Sequence, residues 1–181
     1  MSDEPAAEKT LYEYLNTLER LFLIEDQQPW SPALRSRARL SKTPKRHLAD
    51  PSLAVAALGA SVDRLLGPEI EWTGFLFESQ VVHDLRVYAQ PHRAEVRYYR
   101  DNVDLEADAI IERDDGQWAA FEVKLGQSWI DGAAASLRKV RETVTEEAAA
   151  RCGALVVVTP DSPTCRRDDG VIVTSPAALG P

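Results

Sequence analysis

The sequence has few residues that could form disulfides or sulfur-ligated sites, because its 181 residues include two cysteines and one methionine. Cys152 and Cys165 do not have metal-ligand spacing, and Cys152 opens an apolar run in which a reduced thiol fits best. No apolar run approaches the roughly 18 residues of a membrane-spanning helix, and residues 1–9 lack the apolar stretch of a signal peptide. We therefore expect a cytoplasmic protein that does not contact membrane and whose cysteines are not catalytic.

Histidine and positive charge are also scarce. His47, His83 and His92 are too scattered to form a metal or catalytic cluster, so a surface or capping role is expected for each. The 21 Lys and Arg residues are outnumbered by 29 Asp and Glu residues, which leaves a net charge of -8. Contact with DNA or RNA would therefore need a local basic patch. No G-x-x-x-x-G-K-[ST] motif occurs, so no ATP site is expected in this chain.

Apolar residues at helical spacing predict several helices. The first covers residues 10–24, with Thr10 as its cap and a stripe from Leu11 to Phe22 that we expect to face the core. A short helix between Asp50-Pro51 and Gly59 has the expected start and stop signals. Longer helices are predicted over residues 71–89 and 130–144.

Strand patterns occupy the stretches between and after the long helices. Residues 95–100, 103–111 and 118–125 are expected to form an antiparallel meander with a turn at residues 114–116. The apolar run 154–158 predicts a buried parallel strand, and residues 171–173 predict a final edge strand. The order from residue 71 onward is α-β-β-β-α-β.

Charged residues recur with a period of two in the second and third predicted strands. Asp104, Glu106 and Asp108 are expected to share one strand face, and Glu122 and Lys124 to share a face of the next strand. Asp108 and Glu122 are equally far from the centre of the predicted turn. They should therefore lie directly across the ladder from each other.

Two facing carboxylates repel each other, so this pair is easiest to explain if a cation neutralises it. Glu78 lies within the apolar stripe of the predicted helix 71–89 and adds a third inward carboxylate. Mg²⁺ or Mn²⁺ would be held by Asp108 and Glu122, with Glu78 as an outer or second-metal ligand. Lys124 would position or activate the water that attacks a phosphodiester.

The spacing of Asp108 and Glu122-Val123-Lys124 resembles the D…ExK signature of the PD-(D/E)xK phosphodiesterase superfamily. Between residues 10 and 144, the chain also resembles a domain family of unknown function that usually forms the C-terminal half of bacterial and archaeal AAA-type ATPases. The stretches that carry this likeness are residues 10–15, 18–21, 42–47, 50–53 and 106–108, together with Pro29-Trp30-Ser31-Pro32 and Phe77-Glu78.

The resemblance implies an α/β fold with a restriction-endonuclease-like core of order α-β-β-β-α-β, over residues 68–181. A partial winged-helix-like segment would precede it, over residues 1–67. Glu78, Asp108, Glu122 and Lys124 fall on the family's acidic and lysine positions, which implies that they are the catalytic residues. The ATPase half and the first two helices of a winged helix are missing, as expected for a natural short paralogue or a fragment of a longer ATPase.

A basic segment accompanies the predicted winged helix. Its functional interpretation is a wing that contacts nucleic-acid phosphates without reading sequence, and the alternative is a solvated face or an interface for an acidic partner. Its residues are Arg35, Arg37, Arg39, Lys42, Lys45 and Arg46.

Three functions remain open at this point. The leading one is Mg²⁺- or Mn²⁺-dependent cleavage of nucleic acid. The second is a non-catalytic interaction module that docks with an AAA-type ATPase or another protein, and the third is a DNA-binding regulator that uses the basic wing. A simpler structural alternative for the D…ExK residues is a solvated hairpin in which Lys124 pairs with Glu106. The sequence leaves the oligomeric state open.

Overall fold

A computed structural model describes residues 8–32 and 43–180, which form a mixed α/β structure. The described helices are α1 (Glu8–Arg20), α2 (Pro51–Leu58), α3 (Val62–Leu65), α4 (Ile70–Ala89), α5 (Ile130–Thr143) and α6 (Glu146–Ala150). The described strands are β1 (Ile24–Gln27), β2 (Lys45–Leu48), β3 (Ala94–Arg100), β4 (Glu106–Arg113), β5 (Trp118–Val123), β6 (Cys152–Val158), β7 (Cys165–Arg166) and β8 (Ile172–Thr174). None of these helices is both long enough and apolar enough to cross a membrane.

The described residues build a six-stranded sheet in the order β3-β4-β5-β6-β8-β7. The first three strands form the predicted antiparallel meander, and β6 runs parallel to both β5 and β8. The predicted order α-β-β-β-α-β is confirmed, with the short α6 added before β6. The prediction that the last strand forms the sheet edge is wrong, because β7 pairs with the outer side of β8. Two residues are too few to give β7 a strand pattern in the sequence.

Helices cover both faces of the sheet. Val82 and Leu85 of α4 pack with Phe121 of β5 in one buried cluster. Leu137 of α5 packs with Val157 of β6 in the other. Successive strand residues point to opposite faces, so the continuous apolar run of β6 contributes to both cores. This three-layer packing holds the strand ends that carry the acidic residues.

The chain before α2 joins the same core. β1 and β2 form a two-stranded antiparallel ladder, and residues 28–30 then run along the outer side of β3 through hydrogen bonds with the backbone of Tyr98. Trp30 is buried, with its ring centroid 4.8 Å from that of Trp118. The predicted domain boundary between residues 67 and 68 stays a prediction. Trp30, before this boundary, packs in the same core as Trp118, which follows it.

Two predictions about helix faces are wrong. The stripe predicted from Leu11 to Phe22 is largely exposed, because α1 packs chiefly against the short strand β1 within the described part of the chain. The helix also ends at Arg20 and not at residue 24, so Phe22 lies beyond it. The helix also begins before Thr10, so Thr10 is not its cap. Phe75 was expected to face the core, as the first residue of the apolar stripe predicted for the helix 71–89, but it is 66% exposed and lines a pocket described below. Val82, further along the same predicted stripe, is buried.

The short helix α2 has the predicted ends. The Asp50 carboxylate accepts a hydrogen bond from the Ser52 backbone N–H at 2.9 Å, and Pro51 occupies the first turn. Gly59 ends the helix at φ 59°, a left-handed conformation that costs glycine little. These local signals depend on neighbouring residues only, which explains why the sequence revealed them.

Leu137 tests the packing of α5 on the sheet, because its side chain is fully buried there. Replacing Leu137 with Ala should lower the free energy of unfolding by about 2–5 kcal/mol, since the substitution leaves a cavity in a packed core. Urea unfolding measures this loss. Leu58→Ala, at an exposed position of α2, should change it by less than about 1 kcal/mol. Equal losses in the two variants would contradict the packing described.

Candidate functional site

The start of β4, the end of β5 and the middle of α4 bring the four predicted site residues together. Because β4 and β5 are antiparallel, the start of one lies beside the end of the other. Ala109 pairs with Phe121, and the same register one step further places Asp108 opposite Glu122. The Val123 backbone N–H donates a hydrogen bond to Asp108 Oδ2 at 2.8 Å. This bond holds the Asp108 carboxylate at the end of β5.

Two lysines neutralise part of the acidic cluster. Lys124 Nζ lies 2.8 Å from Glu122 Oε1 and 3.9 Å from Asp108 Oδ2. Lys45 Nζ lies 3.1 Å from Glu78 Oε1 and 3.5 Å from Asp108 Oδ1. Asp108 and Glu122 are each 4% exposed, so a hairpin with a solvated acidic face does not describe this site. If all five groups were ionised, the three carboxylates and two ammonium groups would leave one excess negative charge.

Burial and mutual repulsion change the protonation of the cluster. Burial, followed by the charge of Asp108, raises the pKa of Glu122 to about 8 and that of Glu78 to about 7. Burial alone would lower the pKa of Lys45 and Lys124, but the neighbouring carboxylates outweigh it and raise both. Both lysines are therefore cations at neutral pH.

The cluster has one buried oxygen without a partner. Glu122 Oε2 makes no hydrogen bond with any described residue, although buried polar atoms usually have a partner. Among the described residues, no three His, Cys, Asp or Glu side chains are grouped so that they could hold one metal ion. Lys45 contacts both Glu78 and Asp108, with its ammonium group between their carboxylates. Asp108 and Glu122 thus form the pair of acids that could serve one cation together.

A cavity of about 310 Å³ adjoins the acidic cluster. Glu78, Lys45 and Glu106 line it, and Arg46 and Arg100 add positive charge at its wall. Phe75 contributes an exposed aromatic ring to the same wall. A ligand in this cavity would meet both carboxylates and cations.

The structure describes two of the six predicted basic residues, and these two lie in different environments. Lys45 contacts the acidic cluster, and Arg46 Nε lies 3.4 Å from Asp26 Oδ1. Arg35, Arg37, Arg39 and Lys42 lie outside the described residues. The nucleic-acid role predicted for these six residues stays a prediction. Lys45, however, was expected on a basic patch and instead balances Glu78 and Asp108.

The period of two predicted that Asp104 shares a strand face with Glu106 and Asp108, but Asp104 does not lie on that face. It precedes β4 with φ 58°, and its exposed carboxylate accepts a hydrogen bond from Arg100 at 2.9 Å. The Asp101 carboxylate accepts hydrogen bonds from the backbone N–H groups of Val103 and Leu105, which stabilises a turn. Since β4 begins after that turn, its alternation starts at Glu106.

A buried polar network, which sequence reasoning missed, supports the site from the N-terminal segment. Gln27 Nε2 donates hydrogen bonds to the carbonyl oxygens of Arg97 and Asp108, both at 3.0 Å. Its Oε1 lies 2.9 Å from His47 Nε2, and His47 Nδ1 lies 3.2 Å from Ser79 Oγ. Because Gln27 Oε1 can only accept, His47 Nε2 donates and a neutral ring then accepts from Ser79.

The network connects the backbone of Asp108 to α4 next to Glu78. His47 was predicted to be a surface or capping residue, but it is 6% exposed. Burial, followed by the charges of Lys45 and Arg86, lowers its pKa to about 4. A signal was present, since a period of two places Lys45 and His47 on the same face of β2. No comparable signal marks Gln27 or Ser79.

Fold and site together define an α/β domain with a buried acidic cluster at one end of its sheet. The family model described as "Domain of unknown function (DUF4143)" matches residues 73–178, more than half of the chain, so the chain belongs to this family. In bacteria, this domain commonly follows AAA ATPase-like domains. A second model, "Domain of unknown function (DUF8612)", matches residues 3–64. Neither description names a nuclease, and no curated protein or solved structure matches the chain.

Glu122→Gln should change how stability depends on pH. The pKa of Glu122 is raised in the folded state, so the unaltered protein loses stability as pH rises from about 4.5 through about 8. The variant lacks this loss. The difference between its free energy of unfolding and that of the unaltered protein should therefore shift in favour of the variant by about 1–3 kcal/mol over that range. Urea unfolding in EDTA measures the difference. The exposed Glu147→Gln is the control, and parallel pH profiles for Glu122→Gln and the unaltered protein would contradict the prediction.

His47→Gln should change the pH dependence of stability in the opposite direction to Glu122→Gln. The pKa of His47 is lowered in the folded state, so its contribution to stability is present above about pH 6.5 and lost as pH falls toward 4. Between pH 7 and pH 5, the unaltered protein should lose about 2 kcal/mol more than His47→Gln, by the linkage of protonation to folding. Urea unfolding at the two pH values measures this. The control His92→Gln, at an exposed position, should lose as much stability between pH 7 and pH 5 as the unaltered protein. If His47→Gln also lost that much, the His47 ring would not be held neutral in the folded state.

Proposed function

We propose that this domain is a Mg²⁺- or Mn²⁺-dependent phosphodiesterase that cleaves nucleic acid. The observation that carries the proposal is the buried Glu122 carboxylate, whose Oε2 has no partner among the described residues and whose neighbour is the buried Asp108. Such a pair is costly unless a cation or protons neutralise it. Hydrolysis of phosphodiesters would explain why the pair is kept, because paired carboxylates can hold the divalent cation that assists this reaction.

The arrangement of elements supports the proposal. Asp108 at the start of β4 and Glu122 with Lys124 at the end of β5 have the D…ExK pattern, and α4 brings Glu78 to the same place. The order α-β-β-β-α-β resembles that of the PD-(D/E)xK nucleases. We further propose a restriction-endonuclease-like core for the domain and a partial winged-helix-like character for the segment before it.

The chemistry of the donors fits a hard divalent cation. Mg²⁺ and Mn²⁺ prefer oxygen ligands, and Mg²⁺ is commonly held by one or two carboxylates with water and substrate phosphate completing its shell. Asp108 and Glu122 would hold the ion, and Glu78 would support it from α4. A bound ion would supply Lewis-acid stabilisation of phosphate charge and a more acidic water.

The two lysines have distinct tasks in this proposal. Lys124 remains protonated, so it donates hydrogen bonds that orient the attacking water or the phosphate, and it does not act as a base. Lys45 lies between Glu78 and Asp108 and can turn from these acids to a substrate phosphate. Arg46 and Arg100 on the cavity wall would contact the flanking phosphates.

A second candidate function rests on a different observation. The exposed apolar stripe of α1 is typical of a surface that docks with another protein. A non-catalytic module that binds an AAA-type ATPase would use such a surface, and the family commonly follows ATPase-like domains. In that case Lys45 and Lys124 would be permanent counter-ions of the acids. A partner complex that survives Asp108→Asn would favour this function.

Cleavage assays test the enzyme directly. Labelled single-stranded, double-stranded and branched DNA, and RNA, are incubated with Mg²⁺, Mn²⁺ or EDTA. We expect metal-dependent cutting that Asp108→Asn and Lys124→Ala each reduce by roughly 100-fold or more, because each removes a preorganised charge at the reacting phosphate.

Metal binding is measured separately by the electron paramagnetic resonance of Mn²⁺. Asp108→Asn should weaken Mn²⁺ binding by roughly ten-fold or more through loss of an anionic ligand, whereas Lys124→Ala should not weaken it. The exposed Asp63→Asn and Lys139→Ala are matched controls. No cutting of any substrate, together with no measurable Mn²⁺ binding, would overturn the proposed function.

A further inference from the structure

A second cavity lies at the opposite end of the sheet from the acidic cluster. β5 and β6 are parallel, with Val123 beside Val158 at the acidic end and Trp118 beside Cys152 at the other. Cys152 and the residues after it form one wall of this cavity, whose volume is about 530 Å³. That volume is within the usual range of small-molecule sites. The cavity is thus spatially separate from the residues of the proposed phosphodiesterase site.

Three arginines from two elements line this cavity, which we call the arginine cleft. Arg138 and Arg141 are three residues apart on α5 and so occupy one face of the helix, while Arg166 comes from β7. The carboxylates that line the same cavity are Glu142 and Asp169. A concentration of arginines is unexpected in a chain with a net charge of -8.

The carboxylates of the arginine cleft do not neutralise its arginines. Asp169 lies 3.7 Å from Arg138, but Arg167 makes a two-nitrogen contact with the same carboxylate at 3.3 Å. Arg141 makes no ion pair with any residue of the described ranges. The Arg166 guanidinium group donates one long hydrogen bond, of 3.4 Å, to the carbonyl oxygen of Gly170. The cleft therefore keeps excess positive charge and unused guanidinium donors.

The other walls of the arginine cleft have a different character. Ala149, Ala154 and Leu155 contribute apolar surface, and the Cys152 thiol lies among them. Burial raises the pKa of that thiol, against a smaller lowering by the Arg141 charge. Arg141 and Cys152 both line the cleft, so the charged and apolar walls meet in one cavity. A ligand that suits this cavity has an anionic end and a compact apolar part.

We propose that the arginine cleft binds a small organic phosphate. Guanidinium groups bind phosphate oxygens through paired hydrogen bonds, and arginines from a helix and a strand could approach one phosphate from different sides. The apolar wall of Ala154 and Leu155 would accommodate the organic part. This site goes beyond the proposed phosphodiesterase activity and does not depend on it, since none of its lining residues belongs to the acidic cluster.

Isothermal titration calorimetry in EDTA tests the proposal, with inorganic pyrophosphate and adenosine monophosphate as probes at constant ionic strength. We expect saturable binding of at least one probe. Arg141→Gln and Arg138→Gln should each weaken it roughly ten-fold, because each removes charge-assisted hydrogen bonds to phosphate. Arg141→Gln is the cleaner variant, since no described ion pair is lost with it.

Lys139→Gln is the matched control, because Lys139 lies between the two cleft residues on α5 but does not line the cavity. It should leave probe affinity unchanged, as should the exposed Asp63→Asn, which lines neither cavity. Equal weakening by Lys139→Gln, or no saturable binding of either probe, would overturn the proposal. A short single-stranded oligonucleotide that bound through the same arginines more tightly than both probes would also overturn it, in favour of nucleic-acid contact.

Discussion

The structure depends on the antiparallel register that brings Asp108 and Glu122 together at the buried end of β4 and β5. Two carboxylates in this position are destabilising, because burial removes them from water and each repels the other. Lys124 and Lys45 offset part of that cost, and the Val123 N–H donates a hydrogen bond to Asp108. The raised pKa of Glu122 shows that the compensation is incomplete. In the proposed function, a divalent cation would supply the missing compensation.

The segment before α2 is part of this arrangement. Gln27 donates a hydrogen bond to the Asp108 carbonyl oxygen, and His47 joins Gln27 to Ser79 on α4. Since Lys45 lies on the same short strand as His47, a displacement of β2 would move a charge in the site and a buried hydrogen-bond network together.

The two ends of the sheet have opposite electrostatic character. The end formed by Glu122 of β5 and the start of β4 concentrates carboxylates, whereas the start of β6 faces Arg138 and Arg141 of α5. Parallel strands β5 and β6 keep these ends about one strand length apart, roughly 20 Å at 3.3 Å per residue. Direct interaction between charges at that distance is largely screened at physiological ionic strength. The two proposed sites would therefore act without strong electrostatic interference.

The sequence by itself determined the order of the main elements from α4 to β6, the caps of α2 and the pairing of Asp108 with Glu122, because these follow from local periodicity and turn position. It did not determine that the α1 stripe is exposed, that Lys45 enters the acidic cluster, or that His47 is buried. Only the tertiary structure decided these, because they depend on contacts between residues far apart in the chain. The arginine cleft belongs to this second group, since α5 and β7 meet only after the sheet has formed.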